Sequence, residues 1–556
     1  MDDDTKLALA KERINNLLEQ AKDREESVYN KILENIADET QRNLLPYLDP
    51  RLQENLLSQL TTQEGGQDEE TFQFRLEALA LLLTPQTKRI ELSGFMSFCP
   101  EDLRVEKFIK VLRIISDKAP NLTFLKIVMY STVEDIAMLE PLFQLKNLHN
   151  LTLSYCPIHF SRLKELCRNM KSLQEVDVRI LYQCQPIINI IFETKSNDSD
   201  DLDDFKSSFS NLKVFLFSVN QGEESLQDTK RFEEQLWRLC VRELPNLQVA
   251  RRYADRDSFQ NYGNMRMMDF PSNISDLRQL FTRPITLGLH LMFPNVTHID
   301  IEFTENSEVR EIHSMLKFTK IECLVLHYPP SKEIVDMFLT TYGPNLNLLV
   351  INAKPDPITF KFKTIFSLCP KLRQLGLFNV GMNDDWLKIQ FFAELEYFDW
   401  QPPKKESHET ATLSNILSAP KLQSFTMRNE FFKADDLRKV STLIAEKKIL
   451  GNLEQLHFDH SSALEIDADY KSDPQFSQFA LFFPAFSEFM KNAIAFCANL
   501  NDVHVFINFY DEDLVEYIEE KYGTRDVPTE ITNLEVFRTL EEKNLNEFLK
   551  VCNAYK

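Results

Sequence analysis

One pattern repeats in N-L-T-F-L-K-I (121–127), N-L-H-N-L-T-L (147–153) and S-L-Q-E-V-D-V (172–178). Each copy has an Asn or Ser at a turn, then a leucine, and further apolar residues three and five positions later. Because the side chains of a strand point alternately to its two faces, this alternation predicts a short strand with one buried face. The leucines Leu122, Leu148 and Leu173 are 26 and 25 residues apart, so the predicted strands recur at a regular period.

The same L-x-x-L-x-L pattern, with conservative apolar replacements, recurs along most of the chain. Later copies begin at Leu212, Val296, Ile321, Leu346, Leu372, Leu395, Leu422, Leu453 and Leu500. From 296 to 422 the steps are 25, 25, 26, 23 and 27 residues, within the range of about 20–29 that is typical of leucine-rich repeats. The spacing therefore predicts an α/β leucine-rich-repeat solenoid, a horseshoe whose parallel strands line the concave side.

The segments between the predicted strands have the periodicity of helices. Their apolar residues recur at intervals of three and four, which places them on one helical face for packing behind the strands. The residues concerned are Phe108, Val111, Leu112 and Ile115, then Phe160, Leu163, Cys167 and Met170, and finally Ile334, Met337 and Phe338.

The repeat divides the chain into regions. We expect a helical amino-terminal module at 1–63, a linker at 64–70, the solenoid at 71–530 and a carboxy-terminal helical cap at 531–556. The register is broken near 180–290 and 460–490, where we expect irregular insertions. The acidic run at 196–204 predicts a solvated loop.

Composition limits the classes of partner and the compartment. The net charge of −22 disfavours nucleic acid and anionic membranes and favours a basic or neutral protein surface. The nine cysteines are scattered without a C-x-x-C pair, which indicates small buried hydrophobes in a reducing compartment. The acidic amino terminus is unlike a secretory signal, so we expect a cytoplasmic or nuclear protein.

The first 60 residues do not follow the repeat. Leu7, Ala10, Ile14, Leu17 and Ala21 predict one amphipathic helix, and Val28, Ile32 and Ile36 lie on one face of a second. A third helix is predicted after Asp49-Pro50, because aspartate can cap a helix whose first residue is proline. Its apolar stripe includes Leu52, Leu56, Leu57 and Leu60.

The stretch S-V-Y-N-K-I-L-E-N-I-A (27–37) resembles the box by which some leucine-rich-repeat proteins engage elongin C. Leu45-Pro46 and the helix carrying Leu52 and Leu56 are similar to the adjoining cullin-contacting helices. The resemblance implies a substrate receptor of an elongin–cullin ubiquitin ligase, with Val28, Ile32, Ile36, Leu52 and Leu56 as adaptor-binding residues. The sequence departs from the family pattern at Val28, where leucine is usual, and at Ile32, where cysteine is usual.

Two alternatives fit the same helices. Leu45-Pro46 and the apolar pairs after it also resemble an F-box, which would dock a Skp-type adaptor and so another cullin. The helices could instead only cap the first repeat, as the end of any solenoid requires.

The common signatures of catalysis are absent from the sequence. There is no G-x-x-x-x-G-K-[ST], G-x-G-x-x-G, G-x-S-x-G or H-E-x-x-H string. The pattern nearest to a metal pair, H-F-D-H at 457–460, lacks an evident third ligand, and we interpret it as surface residues. We therefore expect no enzymatic activity, no cofactor and no metal.

The candidate binding site is instead the concave strand face. Its residues alternate with the buried leucines, and charged and aromatic types recur among them, as in protein interfaces. The predicted partner-binding residues are Asp177, Arg179, Asp300, Glu302, Phe378, Tyr397, Asp399, Arg428, His457 and Asp459. The expected function is a protein–protein interaction scaffold that recognises a ligase substrate, or a scaffold unrelated to ubiquitin ligases.

Overall fold

The computed structural model describes most of the repeat region. The described residues are 33, 38–43, 45–129, 138–181, 199–220, 226–252, 275–284, 287–304, 309–353, 356–383, 393–403, 412–428, 434–460, 485–486, 488–507 and 530–531. The chain divides into two compact units, Met1–Arg278 and Gln279–Lys556, called the first and second units below.

The first unit contains a parallel sheet whose six strands pair in chain order. The strands are β1 (Arg89–Leu92), β2 (Phe124–Val128), β3 (Asn150–His159), β4 (Glu175–Leu181), β5 (Val214–Asn220) and β6 (Val249–Arg252). Equivalent positions of the repeat are register partners, so Leu125 lies between Ile90 and Leu151. These three side chains are buried and form one layer of the core.

The second unit contains a ten-stranded sheet built in the same way. Its strands are β7 (Gln279–Thr282), β8 (His298–Glu302), β9 (Cys323–His327), β10 (Leu348–Asn352), β12 (Gln374–Phe378), β14 (Tyr397–Gln401), β15 (Ser424–Arg428), β16 (Gln455–His460), β17 (Asp502–Ile507) and β18 (Glu530–Ile531). All pair in parallel except the last two, which are antiparallel. Two further strands, β11 (Ile358–Lys361) and β13 (Val380–Asn383), pair separately.

One strand per repeat, in register, with its alternate residues buried, is the architecture that the spacing predicted. The buried layer that contains Leu324 continues through Leu349 and Leu375, each a register partner of the next. The α/β leucine-rich-repeat solenoid is therefore confirmed as the fold class.

Helices connect the strands and pack behind them. Before and within the first unit's sheet these are α1 (Glu39–Arg42), α2 (Pro50–Thr62), α3 (Glu69–Leu82), α4 (Arg104–Lys118), α5 (Phe160–Asn169), α6 (Ser199–Phe209) and α7 (Leu226–Glu243). In the second unit they are α8 (Leu289–Met292), α9 (Val309–Met315), α10 (Lys332–Tyr342), α11 (Phe362–Leu368), α12 (Leu413–Ile416) and α13 (Ala434–Ala445).

The predicted apolar helical faces are confirmed in α4 and α5, where the predicted residues are buried. In α10 the buried face is rotated by one residue from the prediction. Val335, Phe338 and Leu339 are buried, whereas Ile334 and Met337 are only half-buried.

The prediction of a loop for the acidic run was wrong for residues 199–204, which belong to α6; residues 196–198 lie outside the described residues. Phe205 and Phe209 lie one turn apart, are fully buried, and pack against each other with ring centroids 5.0 Å apart. Asp204 forms ion pairs with Lys164, at 2.5 Å, and with Arg168, both on α5. The ammonium of Lys164 holds the pKa of Asp204 below its ordinary value. Neighbouring cations thus allow an acidic segment to pack as a helix.

The range 180–290, where irregular insertions were predicted, contains β5, which was predicted from Leu212, and two further strands of the repeat, β6 and β7. In β7 the buried residues Leu277 and Leu280 stand at the first and second apolar positions of the pattern, but Thr282 stands at the third. Similarly, β1 has Thr87 at the first position. In each of these two repeats, one polar residue stands at an apolar position of the pattern, and the repeat was therefore not recognised in the sequence.

The amino-terminal helices lie against the first strand of the repeat. The predicted cap of α2 is confirmed: the Asp49 side chain accepts a hydrogen bond of 2.9 Å from the amide of Arg51, and Pro50 opens the helix. Helix α3 begins at Glu69, within the range predicted as a linker. The predicted helices before residue 33 and the predicted cap after 531 lie outside the described residues.

A buried arginine joins α2 to α3. The guanidinium of Arg75 donates to the carbonyl oxygen of Leu60 at 2.5 Å and to Gln63 at 3.3 Å, and it stacks 3.9 Å above the Phe98 ring. Burial lowers the pKa of Arg75 to about 10, so the side chain keeps its charge near neutral pH. Gly94 completes the contact by donating its amide to the Thr61 carbonyl at 3.1 Å.

The described cysteines give the fold a predicted sensitivity to alkaline pH. Burial raises the pKa of Cys156 and of Cys167 to about 12, whereas an unfolded thiol ionises near pH 8.5. Their contribution to stability is therefore complete below about pH 8.5 and is lost as the pH rises towards 12. We expect each thiol to lower the free energy of unfolding by about 1.4 kcal/mol per pH unit in that window.

Urea unfolding at pH 8 and pH 10 measures this loss. A variant with Cys156→Ala and Cys167→Ala is the matched control and should lose less stability between the two pH values. Equal losses in both proteins would contradict the assignment of the effect to these thiols.

Candidate functional site

The residues that alternate with the core leucines of the second unit form its open strand face, the face predicted as concave. Strand register arranges these side chains in rows that cross the sheet. The central row contains Asp300, Val325, Val350, Gly376, Asp399, Thr426 and His457, each a register partner of the next. This face brings together eight of the predicted site residues, while Asp177 and Arg179 belong to the first unit.

An apolar patch occupies the middle of the open strand face. It consists of Leu348, Val350, Phe378 and Tyr397, which lie on β10, β12 and β14. The first three are half-buried, and Tyr397 is 41% exposed, one of the few large apolar side chains so open to solvent. Clustered apolar and aromatic side chains at a surface are characteristic of binding sites.

Gly376 stands at the centre of this patch. Its register partners are Val350 on one side and Asp399 on the other. A Cβ atom placed on Gly376 would lie 3.1 Å from Val350 Cγ2 and 3.4 Å from Phe378 Cε2. The side chains of Val350 and Phe378 therefore close over Gly376, which is itself buried, and make a low apolar surface there.

An ion pair closes one side of the patch. Arg428 donates from Nε to Asp399 Oδ1 at 3.1 Å and from Nη2 to Asp399 Oδ2 at 3.0 Å. This two-bond geometry fixes both side chains more firmly than a single contact would. Both residues are half-buried, and their charges offset each other.

A second ion pair lies on the other side, between Arg283 and Glu302. Arg283 donates from Nε at 2.8 Å, and its Nη2 lies 2.7 Å from the same carboxylate oxygen. Burial raises the pKa of Glu302 above its ordinary value, against the opposing effect of Arg283. Glu302 is only 5% exposed, so the expectation that it is open to a partner was wrong; the nearby Arg283 allows the carboxylate to be buried.

Asp300 differs from the other carboxylates of this region. Its side chain is 25% exposed, and its Oδ1 atom lies 3.1 Å from Nε2 of the buried His327. Within the described part of the chain, no lysine or arginine forms an ion pair with Asp300. No lysine or arginine of the described residues therefore offsets the negative charge of Asp300.

Two histidines, His457 on β16 and His504 on β17, lie towards the carboxy-terminal end of the sheet. His457 Nε2 lies 3.0 Å from Asp502 Oδ2, and the rings of His457 and His504 have centroids 5.8 Å apart. Asp459 is in β16 on the same face as His457, and its side chain is outside what the structure describes. His460 is the last residue of β16.

The described residues contain no group of three His, Cys, Asp or Glu side chains that could hold a metal ion. Over the same ranges, no helix has the length and apolar character required to cross a membrane.

In the first unit, the outward residues of β4 carry both signs of charge. Asp177 is half-buried, whereas Arg179 is exposed and stacks above the Tyr155 ring at 4.6 Å. A polar groove of about 370 Å³ lies at the beginnings of β4 to β6, lined by Lys171, Gln174, Lys213 and Gln248 among others. The groove also contains Ser172 and Ser210, whose hydroxyls donate to backbone carbonyl oxygens.

The predicted adaptor-binding residues are only partly described. Leu52 is half-buried, whereas Leu56 is 1% exposed and lies on the buried face of α2. Val28, Ile32 and Ile36 lie outside the described residues. Leu33, between them in the sequence, is buried.

Sequence reasoning identified Phe378 and Tyr397 but overlooked the aliphatic half of the patch. Leu348 and Val350 occupy the same outward positions of their repeat as His298 and Asp300 do in theirs. The signal was therefore present: apolar residues at positions where neighbouring repeats carry polar ones.

No protein-family model matches the chain, and no curated protein matches its sequence. Solved structures similar to it include an internalin of Listeria monocytogenes, with 10% identity and a TM-score of 0.28 over 74% of this chain and 96% of that chain. A leucine-rich-repeat protein of Leptospira interrogans has 14% identity and a TM-score of 0.28, over 78% and 92% of the two chains. The leucine-rich-repeat ectodomain of an Arabidopsis thaliana receptor kinase has 14% identity and a TM-score of 0.27, over 67% and 37%. The fold assignment rests on the strand register described above.

Proposed function

We propose that this chain is a protein–protein interaction scaffold that binds its partner on the open strand face of the second unit. The observation that carries the proposal is the apolar patch of Leu348, Val350, Phe378 and Tyr397 on three neighbouring strands. Burying such side chains against a partner gains free energy in proportion to the apolar area removed from water. The ion pairs on either side supply the polar rim that protein interfaces usually have.

The same fold gives the patch a rigid support. Each of its side chains alternates with residues buried in the core, such as Leu349 beside Leu348 and Phe398 beside Tyr397. Strand residues held in this way lose little further freedom on binding, which favours affinity. A scaffold without catalytic residues of its own is the function class that best fits these features.

We propose further that the scaffold is the substrate receptor of a cullin-type ubiquitin ligase. The support is the resemblance of residues 27–37 to an elongin C box, followed by Leu45-Pro46 and α2. In this role the amino-terminal helices would bind an elongin C or Skp-type adaptor, and through it a cullin, while the open strand face selects the target. Ubiquitin transfer would then be carried out by the partners.

Binding to purified adaptors tests the ligase role. The full chain should retain either the elongin B–C complex or a Skp-type adaptor. If the box is used, Val28→Asp and Ile32→Asp should each weaken retention of elongin at least tenfold, because a charge replaces an apolar contact. Leu291→Asp is the matched control, since Leu291 is 69% exposed in the second unit. Retention of neither adaptor would overturn the ligase role, and equal retention by all variants would overturn the box.

The second candidate is a scaffold unrelated to ubiquitin ligases. The burial of Leu56 and the contacts of α2 and α3 with the first repeat favour it, because these are the contacts that an end cap makes. In that case neither adaptor is retained and the open strand face still binds its partner.

A further inference from the structure

The central row of the open strand face forms a track with distinct ends. From Asp300 it passes over Val325 and Val350 to Gly376 at the centre of the apolar patch. Both valines are half-buried, so the track between the carboxylate and Gly376 is apolar. Beyond Gly376 the Asp399–Arg428 ion pair closes it.

Charge along this track is uneven. Arg428 offsets Asp399, and Arg283 offsets Glu302. Asp300 faces only His327 among the partners described for it, so a negative charge remains at the end of the track opposite Gly376. The chain as a whole carries a net charge of −22, which also attracts a basic partner.

The sheet sets the distance between the two ends. Three strand spacings separate β8, which carries Asp300, from β12, which carries Gly376. Neighbouring strands are about 4.8 Å apart, so the two ends are about 14 Å apart along the row. An extended segment advances about 3.3 Å per residue and covers this distance in about four residues.

We infer that the open strand face binds an extended segment of a partner protein that carries an apolar side chain and, four residues away, a lysine or arginine. The apolar side chain packs on the apolar patch over Gly376, against Val350, Phe378 and Tyr397. The basic side chain reaches Asp300, and the residues between them lie over Val325 and Val350. This inference rests on the proposed function and specifies the chemistry of the partner.

Selection of phage-displayed random twelve-residue peptides on the immobilised full chain tests the inference. We expect enrichment of an apolar residue and a basic residue at a separation of four. Asp300→Asn should weaken binding of a selected peptide about tenfold, and the selection repeated on that variant should lose the basic preference while keeping the apolar one. Asp435→Asn is the matched control, because Asp435 lies on α13 and its side chain is 97% exposed.

A change in the peptide gives a test that does not depend on folding of the variant. Replacing the basic residue of a selected peptide with norleucine should weaken its binding to the unaltered chain about tenfold, and glutamate should weaken it more. The inference is overturned by the absence of any enriched motif, by enrichment of acidic residues, or by a basic preference that persists with Asp300→Asn. A selected apolar residue that binds without a basic one, and is lost with Phe378→Ser, would overturn the inference while leaving the proposed face in place.

Discussion

Replacing Trp400 with alanine should lower the free energy of unfolding of the second unit by about 4 kcal/mol, in the range found for removal of a large aromatic side chain from a core. Trp400 is fully buried. Its ring is stacked on Phe398 at 6.1 Å and meets the edge of Phe362 at 6.4 Å. Its indole nitrogen also donates to the Val380 carbonyl at 2.8 Å, and that carbonyl would lose its partner.

Urea unfolding followed by circular dichroism measures the change, and Tyr397→Ala is the matched control. Tyr397 is on the same strand but on the open face, so its removal should cost less than about 0.5 kcal/mol, as expected for a surface substitution. Similar losses in the two variants would mean that β14 does not present its alternate residues to core and solvent as described.

Gly94→Ala should be the most damaging change at the junction between the amino-terminal helices and the first repeat. A Cβ atom on Gly94 would overlap the backbone carbonyl oxygens of Thr62 and Gln63, at the end of α2. Backbone atoms cannot rotate away as a side chain can, so α2 must move. The Gly94–Thr61 hydrogen bond would then break. We expect the free energy of unfolding to fall by about 3 kcal/mol, the upper part of the range for overpacking.

Gly66→Ala is the matched control, because a Cβ atom there would meet nothing within 4 Å. Hydrogen exchange of the amides in α2 should accelerate in the Gly94 variant and remain unchanged in the Gly66 variant. If the two variants behave alike, the amino-terminal helices do not lie against the first repeat.

The sequence was sufficient for the features that depend on local periodicity. The positions of Leu349, Leu375 and Phe398 in one buried layer follow from the repeat alone, because equivalent positions of stacked repeats become register partners. The capping of α2 by Asp49 was also predictable, because it involves only residues that are neighbours in the sequence.

Features that depend on contacts between repeats were not predictable in this way. The sequence alone places Asp204 in a solvated acidic run, whereas in the structure it forms ion pairs with Lys164 and Arg168 of α5. The sequence alone places Glu302 on an exposed position, whereas in the structure Arg283 of the preceding repeat donates a hydrogen bond to it. In both cases a carboxylate packs beside a cation that only the stacked structure brings near, and for Glu302 this accompanies full burial.

The candidate site was predictable from the sequence only in part. Strand alternation indicated that Phe378, Tyr397 and Asp399 point outwards, and the structure places them on one surface. The apolar surface over Gly376 was not evident, because it depends on the side chains of Val350 and Phe378 from two different repeats.

Photo-crosslinking from the open strand face tests the central claim most directly. The full chain is prepared with benzoylphenylalanine in place of Tyr397, or in place of Asp435 on α13 as the control, and irradiated in extract from cells that express the protein. We predict a discrete crosslinked protein from position 397 that is absent from position 435 and is lost when Phe378→Ser is added. Identical products from both positions, or none from position 397, would contradict the claim that this face binds a protein partner.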